Sequence, residues 1–125
     1  MKVLVIDDDD IIRLVIVESL TDAGFEVFDL PSPIGATKKI VDNHIEAVAV
    51  DVLMPTMSGD KLSCLLRKNP RLNKIGIVLI SSMDPSDLER LRVESGADEA
   101  VQKEDLQQHL PAALRRSIRY RQKTA

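Results

Sequence analysis

The sequence predicts an α/β domain organised on a buried parallel sheet, wound on both faces by helices. Two observations carry that expectation. Five short apolar runs alternate with longer amphipathic stretches, the order expected of repeated strand–helix units. The strongest runs, Val3-Leu4-Val5-Ile6, Ala47-Val48-Ala49-Val50 and the stretch from Ile75 to Ser81, lack the polar alternation of a sheet with one wet face. At 125 residues the chain has the size of one domain. With 44% hydrophobic residues and a net charge of only −3, it is not expected to stay unfolded. Its aromatics are Phe25, Phe28 and Tyr120, so the core must come from Val, Ile, Leu and Ala.

The elements follow in order. Lys2–Ile6 reads as a first strand, and residues 9–23 as a helix that Gly24 terminates. Glu26–Leu30 is a shorter, more polar strand suited to an edge. Ser32 as N-cap with Pro33 just inside predicts a second helix running to Asn43. Ala47–Val52 is a third strand, apolar except for Asp51, and a helix is expected from Gly59 to Lys68. After the strand that ends at Ser81, Pro85 opens a fourth helix and Gly96 closes it. Glu99–Gln102 is a fifth strand, and Lys103 follows it. Pro111 interrupts the last helical pattern at a cost of about 3 kcal/mol in a helix interior. Residues 104–110 are therefore expected to form a separate turn, with the main helix starting near Leu110 or Pro111.

In a doubly wound sheet the functional crevice lies outside the carboxyl ends of the strands. The polar residues at those ends are Asp7 and Asp8, Asp51, Ser81 and Lys103. Closely packed carboxylates repel one another and call for a cation or raised pKa values. Asp9 and Asp10 are better placed to cap the following helix and complement its dipole. Three carboxylates on adjacent strand ends suit a hard divalent ion such as Mg²⁺. Asp51 could serve as nucleophile, since a carboxylate accepts a phosphoryl group as an acyl phosphate. Lys103 and Ser81 would then supply charge and a hydrogen bond to the phosphoryl oxygens.

In these residues the chain resembles the receiver domains of two-component response regulators, over essentially its whole length. Asp7 and Asp8 look like the family's acidic pair, Asp51 like the phosphoacceptor, Ser81 like the hydroxyl switch and Lys103 like the lysine. Met54-Pro55 and Gly59 match the signature after the phosphoacceptor. The resemblance implies a flavodoxin-like (βα)5 sheet in the order 2-1-3-4-5. It also implies Mg²⁺, with Mn²⁺ as a substitute, held by Asp7, Asp8, Asp51 and the backbone carbonyl of Leu53. The donor would be a histidine kinase or a histidine phosphotransfer protein, with an effector domain or protein downstream and a homodimer compatible with the fold. Two positions depart from the pattern. Ala100 stands where an aromatic is common, so an aromatic rotamer switch cannot operate, and Glu104 stands where proline often follows the lysine.

At about 100° per residue, Ile12, Val15, Ile16, Ser19 and Ala23 share one face of the first helix, while Leu14 and Val17 point away from it. Leu14 and Val17 are either isolated exposed apolar residues, which are common, or, as the resemblance implies, a patch that docks the phosphodonor. Residues 1–120 are read as the receiver domain and 121–125 as a basic tail, while the basic cluster Arg115, Arg116, Arg119, Arg121 and Lys123 is expected to be a solvated helix end. Mild acidity argues against nucleic-acid binding by the domain. No run approaches the roughly 20 apolar residues of a membrane span, no signal peptide is visible, and Cys64 stands alone, all of which fit a cytoplasmic domain. Cys64, His44 and His109 have no partners at metal or triad spacing. The sequence thus suggests a switch that takes part in its own phosphorylation and slow dephosphorylation. It does not suggest a conventional turnover enzyme such as a phosphohydrolase. An interaction module signalling without phosphorylation is the competing expectation.

Overall fold

The apolar runs fold as parallel strands because their side chains are buried on both sides of one sheet. The computed structural model describes residues 1–124. Its elements are β1 (Lys2–Ile6), α1 (Asp10–Asp22), β2 (Glu26–Leu30), α2 (Ala36–Asn43), β3 (Ala47–Asp51), α3 (Gly59–Lys68), β4 (Gly76–Ser81), α4 (Pro85–Ser95), β5 (Glu99–Gln102) and α5 (Leu106–Thr124). A 3-10 turn, Lys103–Asp105, leads into α5. The strand order is β2-β1-β3-β4-β5 with every pairing parallel, the order the resemblance implies. The chain runs from β1 outward to β2 and then crosses back to β3, so the strand order reverses between β1 and β3. A crevice opens at such a reversal.

Side chains alternate across the sheet with the period of two that a strand imposes. Leu4, Ile6, Val48, Val50, Ile77 and Leu79 face α2, α3 and α4, where they pack with Ile40, Leu62, Leu66 and Leu88. Val3, Val5, Ala47, Ala49, Val78 and Ile80 face α1 and α5, where Ile16, Leu20, Leu110, Leu114 and Ile118 cover them. Each fully buried Val, Leu or Ile contributes about 1.5–3 kcal/mol relative to exposure. The second layer has small residues where α5 crosses. A Cβ on Gly76 would press into the Ser117 side chain and come within 3.1 Å of the Ala47 methyl. Gly76 therefore sets how closely α5 approaches β3 and β4.

Several expectations are corrected. α2 starts at Ala36, not at Pro33, because Gly35 takes a left-handed conformation (φ +85°) and the Ala36 N–H donates back to the Pro33 carbonyl. Ser32 closes a turn instead, its Oγ accepting from the Ile34 N–H. α5 starts at Leu106, so residues 106–110 are helical and Pro111 sits inside the helix. Pro111 removes only the bond its N–H would have made to Gln107, an exposed residue whose carbonyl water can satisfy. The core face of α1 is built from Ile16 and Leu20; Val15 is 45% exposed.

The C-terminal basic residues are also less free than expected. α5 continues through Thr124. The Arg115 guanidinium stacks over the Phe25 ring and donates to the Ala23 carbonyl, and Arg116 pairs with Glu99. Arg121 pairs with Asp98, which also accepts from Arg67 and from the Ile77 N–H. Arg67 further donates to the carbonyls of Gly96, Asn73 and Ile75. That buried ionic network ties α3, β4, β5 and α5 together at the end of the sheet away from the carboxylates.

Candidate functional site

The acidic run divides where β1 ends. Asp7 leaves the strand buried, its N–H donating to the Leu30 carbonyl of β2. Asp8 is exposed. Asp9 caps α1, its carboxylate accepting from the N–H groups of Ile11 and Ile12, and Asp10 opens the helix. Arg13 fastens this turn: it donates to the Asp7 carbonyl at 2.8 Å and pairs with Asp10 and with Asp29 on β2.

Asp51 ends β3 beside β1 and is only 2% exposed. One of its oxygens accepts from Lys103 Nζ at 3.1 Å, and the other accepts from the Leu53 N–H at 3.2 Å. Behind it the chain turns sharply into α3. A Cβ on Gly59 would collide with the Asp51 carbonyl, so only glycine permits this close return. Ser81 ends β4 fully buried, its Oγ accepting from the Met83 N–H at 3.2 Å. Lys103 directly follows β5.

Carboxylate oxygens of Asp7, Asp8 and Asp51 all lie within 4.8 Å of one another. Burial raises the Asp7 pKa above its ordinary value, and the charges of Asp51 and Asp8 add to the rise, against the Asp9 N–H and Lys103. For Lys103, burial alone would lower the pKa. The hydrogen bond to Asp51, with the charges of Asp51, Asp7 and Asp8, outweighs that and holds it above the ordinary lysine value. Asp7 Oδ1 accepts from the Asp9 N–H, but Asp7 Oδ2 is buried with no hydrogen-bond partner. A buried carboxylate oxygen without a partner, in a group clustered with two further carboxylates, is costly without a cation. All-oxygen donors of this kind fit Mg²⁺ or Mn²⁺.

Residues 3–115 of the chain match the family described as the response regulator receiver domain. The chain belongs to the receiver domains of two-component response regulators. This receiver is 31% identical over 90 residues to the two-component response regulator-like protein APRR7 of Arabidopsis thaliana, a match covering 70% of this chain and 12% of that one. It is 31% identical over 84 residues to protein PilG of Pseudomonas aeruginosa, covering 67% of this chain and 62% of PilG. The receiver thus spans less than two thirds of the length of these curated relatives. A solved response regulator receiver domain protein from Clostridium thermocellum is 25% identical and superposes with a TM-score of 0.85, covering 99% of this chain and 98% of the other.

Of the residues singled out from sequence, the structure brings Asp7, Asp8, Asp51 and Lys103 into one cluster and places Ser81 on the neighbouring strand end. Leu53 lies two residues after Asp51 and is 63% exposed. Leu14 is exposed at 57%, whereas Val17 is half-buried. Ile11 and Val15 are exposed as well, and they border a groove of about 370 Å³ with Ile12, Leu106 and Lys103. Arg13 escaped sequence reasoning. Its spacing from Asp10 is visible in the chain, but its reach to Asp7 and Asp29 depends on β1 and β2 lying side by side.

Proposed function

We propose that this receiver accepts a phosphoryl group on Asp51, in a reaction that requires Mg²⁺, and relays the event as a change of conformation or partner. The observation that carries this reading is the setting of Asp51: a buried carboxylate shared between Lys103 and an acidic pair that includes an orphaned oxygen. Asp7, Asp8, Asp51 and the Leu53 carbonyl would hold the ion, which when bound supplies positive charge for the phosphoryl oxygens.

The chain's own groups divide the remaining work. Lys103 and the Leu53 N–H fix the two oxygens of Asp51, so the carboxylate is oriented before a donor arrives. One Asp51 oxygen forms a bond to phosphorus as the phosphorus–nitrogen bond of a phosphohistidine breaks. The electron pair returns to the imidazole, which takes up a proton from solvent. Lys103 then offsets charge on the new acyl phosphate, and the Ser81 hydroxyl donates to a phosphoryl oxygen. Leu53, two residues after Asp51, and Met83, two residues after Ser81, are apolar and would impede an attacking water, so the protein acts as a switch more than as a turnover enzyme.

The proposed donor is a histidine kinase or phosphotransfer protein, received on the exposed apolar face of α1 around Leu14, with Val17 at its margin. An effector domain or protein would read the result. Among the described residues no helix is long and apolar enough to cross a membrane, in keeping with a cytoplasmic setting. Intact-mass spectrometry after incubation with a small-molecule phosphodonor tests the reading. A gain of one phosphoryl group that disappears with a chelator is expected. No adduct with Mg²⁺ and donor present would favour an interaction module that signals without phosphorylation.

A further inference from the structure

Met83, in the turn between β4 and α4, is held on both sides of its backbone. Its N–H donates to Ser81 Oγ at 3.2 Å, and its carbonyl accepts from Gln102 Nε2 at 2.9 Å. Gln102 is the last residue of β5, pairs with Ser81 in the sheet register and directly precedes Lys103. Ala100 lies on the same face of β5, two residues earlier, and offers only a methyl group. The long amide of Gln102 is therefore what spans from β5 to this turn.

The clasp constrains Ser81. Its Oγ is fully buried and accepts from Met83, so the hydroxyl hydrogen cannot point towards that N–H. Among the described residues that hydrogen has no acceptor. It is left free for an acceptor arriving at the strand ends. If Met83 drifts, the hydroxyl loses the contact that restricts its rotation.

We propose that Gln102 is a positioning residue for phosphoryl transfer: by holding the Met83 carbonyl it keeps the Met83 N–H on Ser81, and so keeps the Ser81 hydroxyl hydrogen available to the Asp51 phosphoryl group. The inference rests on the phosphoacceptor reading of Asp51. Gln102 touches neither the carboxylates nor the phosphoryl group and acts through Met83 and Ser81.

The test uses Gln102→Leu, which removes the amide, and Gln102→Glu, whose ionised carboxylate keeps the length but cannot donate. Two readouts are taken: hydrogen exchange at the Met83 amide, and the rate of labelling by a small-molecule phosphodonor with Mg²⁺. Both variants should exchange the Met83 amide faster and label roughly three- to tenfold more slowly, the scale of one neutral hydrogen bond. In a Ser81→Ala background, where the hydroxyl is already gone, Gln102→Leu should change the labelling rate no further. Unaltered Met83 exchange overturns the clasp, and an equal slowing with and without the Ser81 hydroxyl overturns the positioning role. Absence of labelling in the unaltered protein overturns the phosphoacceptor reading and this role with it, while the exchange result still reports on the clasp alone.

Discussion

Replacing Asp7 by Asn should make the metal-free protein more stable and the Mg²⁺-loaded protein less so. At a separation of 4.8 Å and an effective dielectric constant near 20, two of the clustered carboxylates repel by about 3.5 kcal/mol. Lys103, 3.1 Å from Asp51, cancels part of that, and protonation relieves more. A net gain of about 1–2 kcal/mol is left for the neutral amide. Asn can retain the acceptor for the Asp9 N–H and replaces the orphaned Oδ2 by an uncharged donor. The raised Asp7 pKa fixes the sign with pH. Asp7 contributes stability below the ordinary aspartate value of 3.8 and loses it as pH rises through its raised folded value. The variant should lack this loss, so its advantage appears on the neutral side of that window and vanishes in acid. With Mg²⁺ at about 100 times its dissociation constant, the unaltered protein should gain about 2.7 kcal/mol, most of which the variant forfeits. Urea unfolding followed by far-UV circular dichroism is the assay, since the chain has no tryptophan. A variant less stable than the unaltered protein without Mg²⁺, or equally stabilised by it, would refute this reasoning.

Leu14→Asp should slow phosphotransfer from the cognate protein donor while leaving labelling by a small-molecule donor unchanged; equal loss with both would remove α1 as the docking face. Arg67→Met breaks the network at the far end of the sheet and leaves Asp98 with fewer partners, so urea unfolding should show a loss of about 3 kcal/mol. Mg²⁺ affinity should not change, because the network lies away from the carboxylates. Gly76→Val should cost about 1–3 kcal/mol by pushing α5 off β3 and β4, read as a lower urea midpoint.

The sheet and its rim were legible in the chain because their signals are local. Short uninterrupted apolar runs rich in β-branched residues, such as Val3–Ile6 and Ile77–Ile80, read as strands buried on both faces, and a doubly wound sheet carries the residue after each run to one edge. Asp7, Asp51 and Lys103 are therefore assigned to one rim by the chain alone. The start of α2 was not legible. Ser32 and Pro33 carry the same signal whether they cap a helix or close a turn, and Gly35 decides between them by its left-handed backbone. Pro111 misled for a related reason: its local cost is real, but Leu110, Leu114 and Ile118 pack against the sheet and hold the helix through it. Arg13, Arg67 and Gln102 were invisible because their partners are brought to them by the packing of separate elements, which a single sequence does not display.

The central claim is that Asp51, among three crowded carboxylates, receives the phosphoryl group. Reductive trapping of the acyl phosphate followed by peptide mass spectrometry assigns the modified residue directly. Modification at Asp51, dependent on Mg²⁺ and absent from Asp51→Asn, is the predicted result. Modification at Asp8 or Ser81 instead, or labelling that persists in Asp51→Asn, would contradict it.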